Sequence, residues 1–134
     1  MGIRDSTPPT PHATVIINPN TPPGAVSSPE RVRALVDIAR RHDLVVMADE
    51  IYEKIIFDDA VHHHAATFAE DDVLCLTFSG LSKAYRARCN RAGWVRVSGP
   101  QPLATDFPEG LTPPSHMRSR ANAPPPHTAN PPTR

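Results

Sequence analysis

The chain is poor in cysteine, in aromatic residues and in any excess of charge, and each shortage removes a class of protein. Cys75 and Cys89 form neither a CxxC pair nor a metal-ligand spacing, so neither a disulfide framework nor a thiolate metal site is expected. Fourteen basic and fourteen acidic residues leave a formal net charge of +0, which gives no electrostatic reason to expect nucleic acid or an anionic membrane as partner. The longest apolar runs are strand-sized and too short to span a bilayer. No secretory signal is read at the start, and with reduced thiols the expectation is a cytoplasmic chain. Proline is missing from one window only. All 17 prolines fall before Glu30 or after Gly99, and because proline lacks a backbone donor and breaks helices, the window between them is the expected folded part. With 134 residues there is room for one domain at most.

What the window contains is an alternation of strands and helix. Ala13 to Ile17 is a β-branched run expected as a buried parallel strand. Asn18 to Gly24 is then a turn at the ligand-facing edge, since sites in open α/β sheets form beyond the carboxyl ends of strands. Ser28 followed by Pro29 starts a helix, the serine capping and the proline taking the first helical position. Val32, Leu35, Val36 and Ala39 recur at helical spacing and predict one buried stripe to about His42, while Arg33, Asp37, Arg40 and Arg41 suit a solvated face. Leu44 to Ala48, Val73 to Phe78 and Ala92 to Val97 are the remaining expected strands, Leu44 to Ala48 covered on both faces and Trp94 in the core. His62, His63 and His64 invite a metal. Adjacent residues rarely converge on one ion, however, and no Cys, Asp or Glu stands at ligand spacing from them, so no metal is expected.

The chemistry concentrates in Ser79-Gly80-Leu81-Ser82-Lys83-Ala84-Tyr85-Arg86, read with Ala48-Asp49-Glu50-Ile51-Tyr52 upstream and Arg91 downstream. A lysine in a Gly/Ser loop after an apolar run, a carboxylate ending an earlier run, and a nearby phenol and guanidinium are what a pyridoxal-phosphate site requires. A lysine amine forms the Schiff base with the aldehyde and shuttles the substrate proton, a role that falls to Lys83. A carboxylate keeps the pyridine nitrogen protonated, which suits Asp49. A phenol donates to the ring oxygen and a planar guanidinium grips phosphate, descriptions that fit Tyr52 and Arg91. Ser82 is placed to reach the phosphate, or else to cap a turn. Glu50, next to Asp49, points the other way along an extended backbone and is expected to be structural.

Three segments in this order, Ile17-Asn18-Pro19-Asn20-Thr21-Pro22-Pro23-Gly24, Ala48-Asp49-Glu50-Ile51-Tyr52 and Gly80-Leu81-Ser82-Lys83-Ala84-Tyr85-Arg86, resemble class I aminotransferases of the pyridoxal-phosphate type. With Arg91-Ala92-Gly93-Trp94 the likeness is greatest to the alanine-aminotransferase-like branch. The resemblance implies an α/β fold: an incomplete large domain of fold type I, mainly parallel, over residues 13–99, between an irregular lead (1–12) and a proline-rich tail (100–134). It implies pyridoxal 5'-phosphate as cofactor, with Lys83 as Schiff-base residue, Asp49 on the pyridinium, Tyr52 on the ring oxygen and Arg91, eight positions after the lysine, on the phosphate. The implied partners are an amino acid and a 2-oxo acid, alanine or glutamate the favoured donors, in a homodimeric enzyme.

Departures from the family pattern bear on activity. Thr21 stands where the family has an asparagine that contacts cofactor and substrate, and a hydroxyl lacks the amide's donor and acceptor pair. The link from lysine to phosphate arginine, apolar in the family, reads Ala87-Arg88-Cys89-Asn90. The tail beyond Pro100 has a disordered composition with faint family echoes and reads as a decayed segment. Two rival expectations follow: a non-catalytic remnant that keeps motif residues without activity, and a binding module using the tail as a polyproline ligand. The second is disfavoured because the prolines lack a PxxP register in a basic context.

Overall fold

A computed structural model describes residues 12–101 and 103–105. Almost all of the irregular lead and most of the proline-rich tail lie outside the described residues. The elements run β1 (Ala13–Ile17), α1 (Pro29–Arg41), β2 (Val45–Asp49), α2 (Ala65–Ala69), β3 (Cys75–Gly80), a 3-10 turn (Arg88–Asn90) and β4 (Gly93–Ser98). The four strands form one sheet in chain order. β1, β2 and β3 are parallel and β4 returns antiparallel to β3. This is the mainly parallel α/β sheet expected from the sequence.

α1 forms where its sequence signals placed it. The Ser28 hydroxyl accepts from the Arg31 N–H at 3.4 Å, Pro29 opens the helix, and Arg40 and Arg41 lie in the last turn, where cations suit the helix dipole. Val32, Val36 and Ala39 are fully buried. They pack with Val46 and Ala48 of β2, Cys75 of β3, and Ala65 and Ala69 of α2 in a single cluster. Burying each valine contributes about 2 kcal/mol.

Three sequence expectations are corrected. Because side chains alternate along a strand, burial of Val46 and Ala48 under the helices turns Val45, Met47 and Asp49 to the other face. That face is bare of helices among the described residues: toward the sheet edges Val15, Ile17 and Val95 are 62%, 41% and 43% exposed, while Leu76 on central β3 is 3% exposed. β1 and β2 are thus covered on one face, not two. Trp94, expected in the core, is 45% exposed, because the helices pack over β2 and β3 and leave β4 at the sheet margin. Arg40 likewise does more than face solvent. It grips Asp72 with Nε to Oδ2 at 2.6 Å and Nη2 to Oδ1 at 3.0 Å, and donates to the Phe68 carbonyl at 3.1 Å, tying α1 to the segment after α2. No described helix is long and apolar enough to cross a membrane.

Candidate functional site

β2 and β3 run parallel with Asp49 opposite Phe78, so Asp49 and the Gly80 to Lys83 loop leave the sheet at the same edge. The strands that deliver this loop approach closely. A Cβ on Gly93 would stand 2.9 Å from the Ser79 carbonyl oxygen, and one on Gly80 would stand 3.0 Å from that of Ala92, so only glycine fits the pair. The Leu81 N–H then donates to the Ala92 carbonyl at 3.1 Å, which fixes the start of the loop.

On the bare face Asp49 accepts from the Ile51 N–H at 3.2 Å, which shapes the turn carrying Tyr52. Lys83 Nζ lies 5.3 Å from the centre of the Tyr52 ring. The ammonium beside it pulls the Tyr52 phenol below its ordinary range, the Thr21 hydroxyl adds to the effect, and partial burial and the Asp49 charge oppose it. Thr21, Asp49, Tyr52 and Lys83, far apart in the sequence, therefore act on one another at one sheet edge. Ser82 and Lys83 join Tyr52, Ile55, Arg86 and Arg88 around a hollow of about 470 Å³.

Arg91 sits differently. It closes the 3-10 turn in the left-handed region, with φ 47° and ψ 37°, is exposed, and is not among the residues lining the hollow. Two guanidinium groups that sequence reasoning left without a role, Arg86 and Arg88, line it instead. The only signal available for them was cationic character within five residues of the lysine.

Behind the strand end, on the α2 side, lies a second polar group. Glu50 is 1% exposed, as its opposite direction from Asp49 suggested. Its Oε1 accepts from the Ala65 N–H at 3.0 Å, and its Oε2 meets His64 Nδ1 at 2.5 Å and His62 Nε2 at 3.4 Å. Burial pushes this carboxyl upward, but the His62, His64 and Ala65 donors outweigh it and hold the group below its usual range. The His62 contact, at 3.4 Å, is the longer of the two imidazole contacts and falls short of full hydrogen-bond geometry. No acid stands at ligand spacing from the histidine triplet in the sequence, but the fold brings Glu50 against His62 and His64, and Glu53 against His64.

The chain was compared with known proteins. Residues 5–109 match the family described as aminotransferase class I and II. The alanine aminotransferase of Mycobacterium bovis is 51% identical over 115 residues, 86% of this chain and 27% of the relative. The glutamate-pyruvate aminotransferase AlaA of Escherichia coli is 48% identical over 125 residues, 93% of this chain and 31% of the relative. A crystal structure of an aminotransferase from Escherichia coli superposes with a TM-score of 0.78 at 46% identity, over 88% of this chain and 29% of that one. An alanine aminotransferase structure from Pyrococcus furiosus gives 0.73 at 27% identity, over 90% of this chain and 29% of that one. The chain thus spans under a third of the length of these relatives. Matched over most of its own length by the family and by relatives near half identity, this chain belongs to the class I and II aminotransferases.

Proposed function

We propose that the chain holds pyridoxal 5'-phosphate through Lys83 and represents the cofactor-binding portion of an enzyme that transfers an amino group between an alanine- or glutamate-type amino acid and a 2-oxo acid. The observation that carries this reading is the convergence of the Lys83 amine, the Tyr52 phenol and the Asp49 carboxylate at one strand edge. The names of the two relatives near half identity support the alanine and glutamate pairing. Residues 13–99 are assigned to this partial large domain, and the setting is cytoplasmic.

The donor set fits the group. An amine suits an aldehyde, a carboxylate a pyridinium nitrogen, a phenol a ring oxygen, and a hydroxyl with guanidinium groups a phosphate. When bound, the cofactor supplies an electron sink for the substrate's α-carbon. Lys83 Nζ anchors the cofactor and moves the proton at that carbon. Asp49 holds a proton on the ring nitrogen. Tyr52, its phenol acidified beside Lys83, donates toward the ring oxygen and steadies the amine. Ser82 binds phosphate with the guanidinium groups of Arg86 and Arg88, which line the hollow beside it, and Thr21 faces the substrate.

The bare sheet face favours a second reading, a remnant that binds the cofactor without turnover, since the exposed Val15, Ile17 and Val95 mark a surface built to be covered. One experiment separates the two. Pyridoxal phosphate added to the purified chain is expected to give a visible absorption band that borohydride bleaches, leaving the reduced cofactor covalently on the peptide that contains Lys83. If Lys83→Ala keeps the band, the site assignment fails. A band without transfer between alanine and 2-oxoglutarate identifies the remnant.

A further inference from the structure

The group behind the strand end is built like a metal site, and its parts come from two short segments that the fold brings together. His62 and His64 are two apart on extended backbone, so their side chains share a side, and the rings meet edge-on with centroids 4.7 Å apart. Glu50 and Glu53 are three apart on a turn closed by the Glu53 N–H donating to the Glu50 carbonyl at 2.9 Å. One donor atom from each of the four lies within 4.8 Å of the others. His62 supplies the sharpest sign. Its side chain is 5% exposed, and its Nε2 is buried without a hydrogen-bond partner while aimed at Glu50 Oε2, 3.4 Å away. A buried ring nitrogen left unpaired beside a buried carboxylate is rare in native structures unless something occupies the space between.

We propose that Glu50, Glu53, His62 and His64 bind a divalent cation of the zinc type, at a site separate from the Lys83 pocket and independent of the cofactor reading. Two imidazoles and two carboxylates are a donor set that suits zinc. Tetrahedral bonds of about 2.0–2.2 Å place ligand atoms about 3.4 Å apart, so the widest pair, within 4.8 Å, closes by up to about 1.4 Å and the His64 Nδ1 to Glu50 Oε2 contact of 2.5 Å opens by about 0.9 Å when the ion enters. The movement falls on Glu53 and His64, whose side chains are 18% and 51% exposed, while Glu50 and His62 stay packed. Asn18 sets the proton arrangement in the metal-free chain. Its Oδ1 accepts from the Ser27 N–H at 2.9 Å, which turns its Nδ2 to His62 Nδ1 at 3.3 Å and leaves the ring proton on Nε2. Zinc binding moves that proton to Nδ1, and the Asn18 contact opens. The ion would staple the end of β2, one residue from Asp49, to the start of α2, a common form of support for a domain with a small core.

The test is a titration of the full chain, stripped with chelator, using zinc chloride in a calorimeter and cobalt chloride by visible absorption. The expected result is one equivalent of zinc, and a tetrahedral cobalt spectrum that zinc abolishes. Glu53→Gln and His64→Ala, at the two less buried ligands, are each expected to weaken zinc binding at least about tenfold, the lower end of what even supporting residues cost. His63→Ala, in the same triplet but outside the cluster, should leave binding unchanged, and far-ultraviolet circular dichroism checks that all three variants keep the parent's secondary structure. Absence of saturable binding overturns the proposal. So does equal weakening by His63→Ala and His64→Ala, which would mean a histidine run catching zinc at the surface.

Discussion

At Tyr52 a phenol shares its surroundings with an amine, a hydroxyl and, more distantly, a carboxylate, and the amine dominates. A positive charge favours phenolate over phenol, so the group ionises below the value of about 10 seen in unperturbed tyrosine. Two tyrosines are present, and a Tyr85→Phe background isolates the one of interest. In that background an ultraviolet titration of tyrosinate should show an early midpoint that moves up toward the ordinary value in Lys83→Met. An unchanged midpoint would mean that the two side chains do not meet in solution. At this scale the positions of Lys83, Asp49 and Tyr52 beyond the strand ends were legible in the sequence, because each ends or follows an apolar run. The position of Arg91 was not. Spacing from a lysine says nothing about a 3-10 turn whose last residue takes up left-handed backbone. Nor was the Glu50 and His64 contact, since its partners lie 14 residues apart and are joined by the return of the chain rather than by any periodicity.

The elements depend on local constraints of the same kind, and the exit from β4 is the tightest. Gly99 has φ +134°, a conformation side chains rarely adopt, and a Cβ there would stand 2.7 Å from the Val73 carbonyl oxygen and 2.8 Å from Leu74 Cα. Both neighbours are backbone, so the clash cannot be relieved by rotating a side chain. Gly99→Ala should therefore destabilise the chain by on the order of 2 kcal/mol in urea denaturation, through detachment of β4 from β3. A loss no larger than that of an alanine placed on the α1 surface would refute this account. Helix α1 was legible to the residue at its start, because a serine cap followed by proline admits one reading. The strands came within about two residues, as is usual where ends fray. Helix α2 was missed for a physical reason: it is 5 residues long, lacks a side-chain cap and is too short to be stable alone, so it exists by packing Ala65 and Ala69 on α1 and β3. The antiparallel direction of β4 was also hidden, since hydrophobic pattern reports a strand without its sense.

For the whole molecule, the informative feature is the asymmetry of the sheet. Leu44 to Ala48 is continuously apolar and Val73 to Phe78 is interrupted only by Thr77, as in strands covered on both faces, yet the described helices cover one. The pattern records a second covering layer that no described helix supplies, which is why the sequence pointed to a deeper burial of β1 than the fold provides; Trp94, opposite Ser79, lies on the helix side and is exposed because the helices stop short of β4. Val15 and Ile17 on β1 and Val95 on β4 lie on the unpartnered side, and among the described residues β1 and β4 are the sheet's two edges, each with an unpaired ladder. Apolar surface beside open edges drives self-association. The isolated chain should sediment as oligomers and enhance the fluorescence of a hydrophobic dye, and Val15→Lys with Val95→Lys should reduce both, since lysine protects an edge and charges the face. These positions are 62% and 43% exposed, so the double variant removes little buried area and leaves the helix-side core intact. If association persists undiminished while circular dichroism is unchanged, the bare face is not what holds the copies together, and the second covering layer inferred from the strand pattern loses its main physical support.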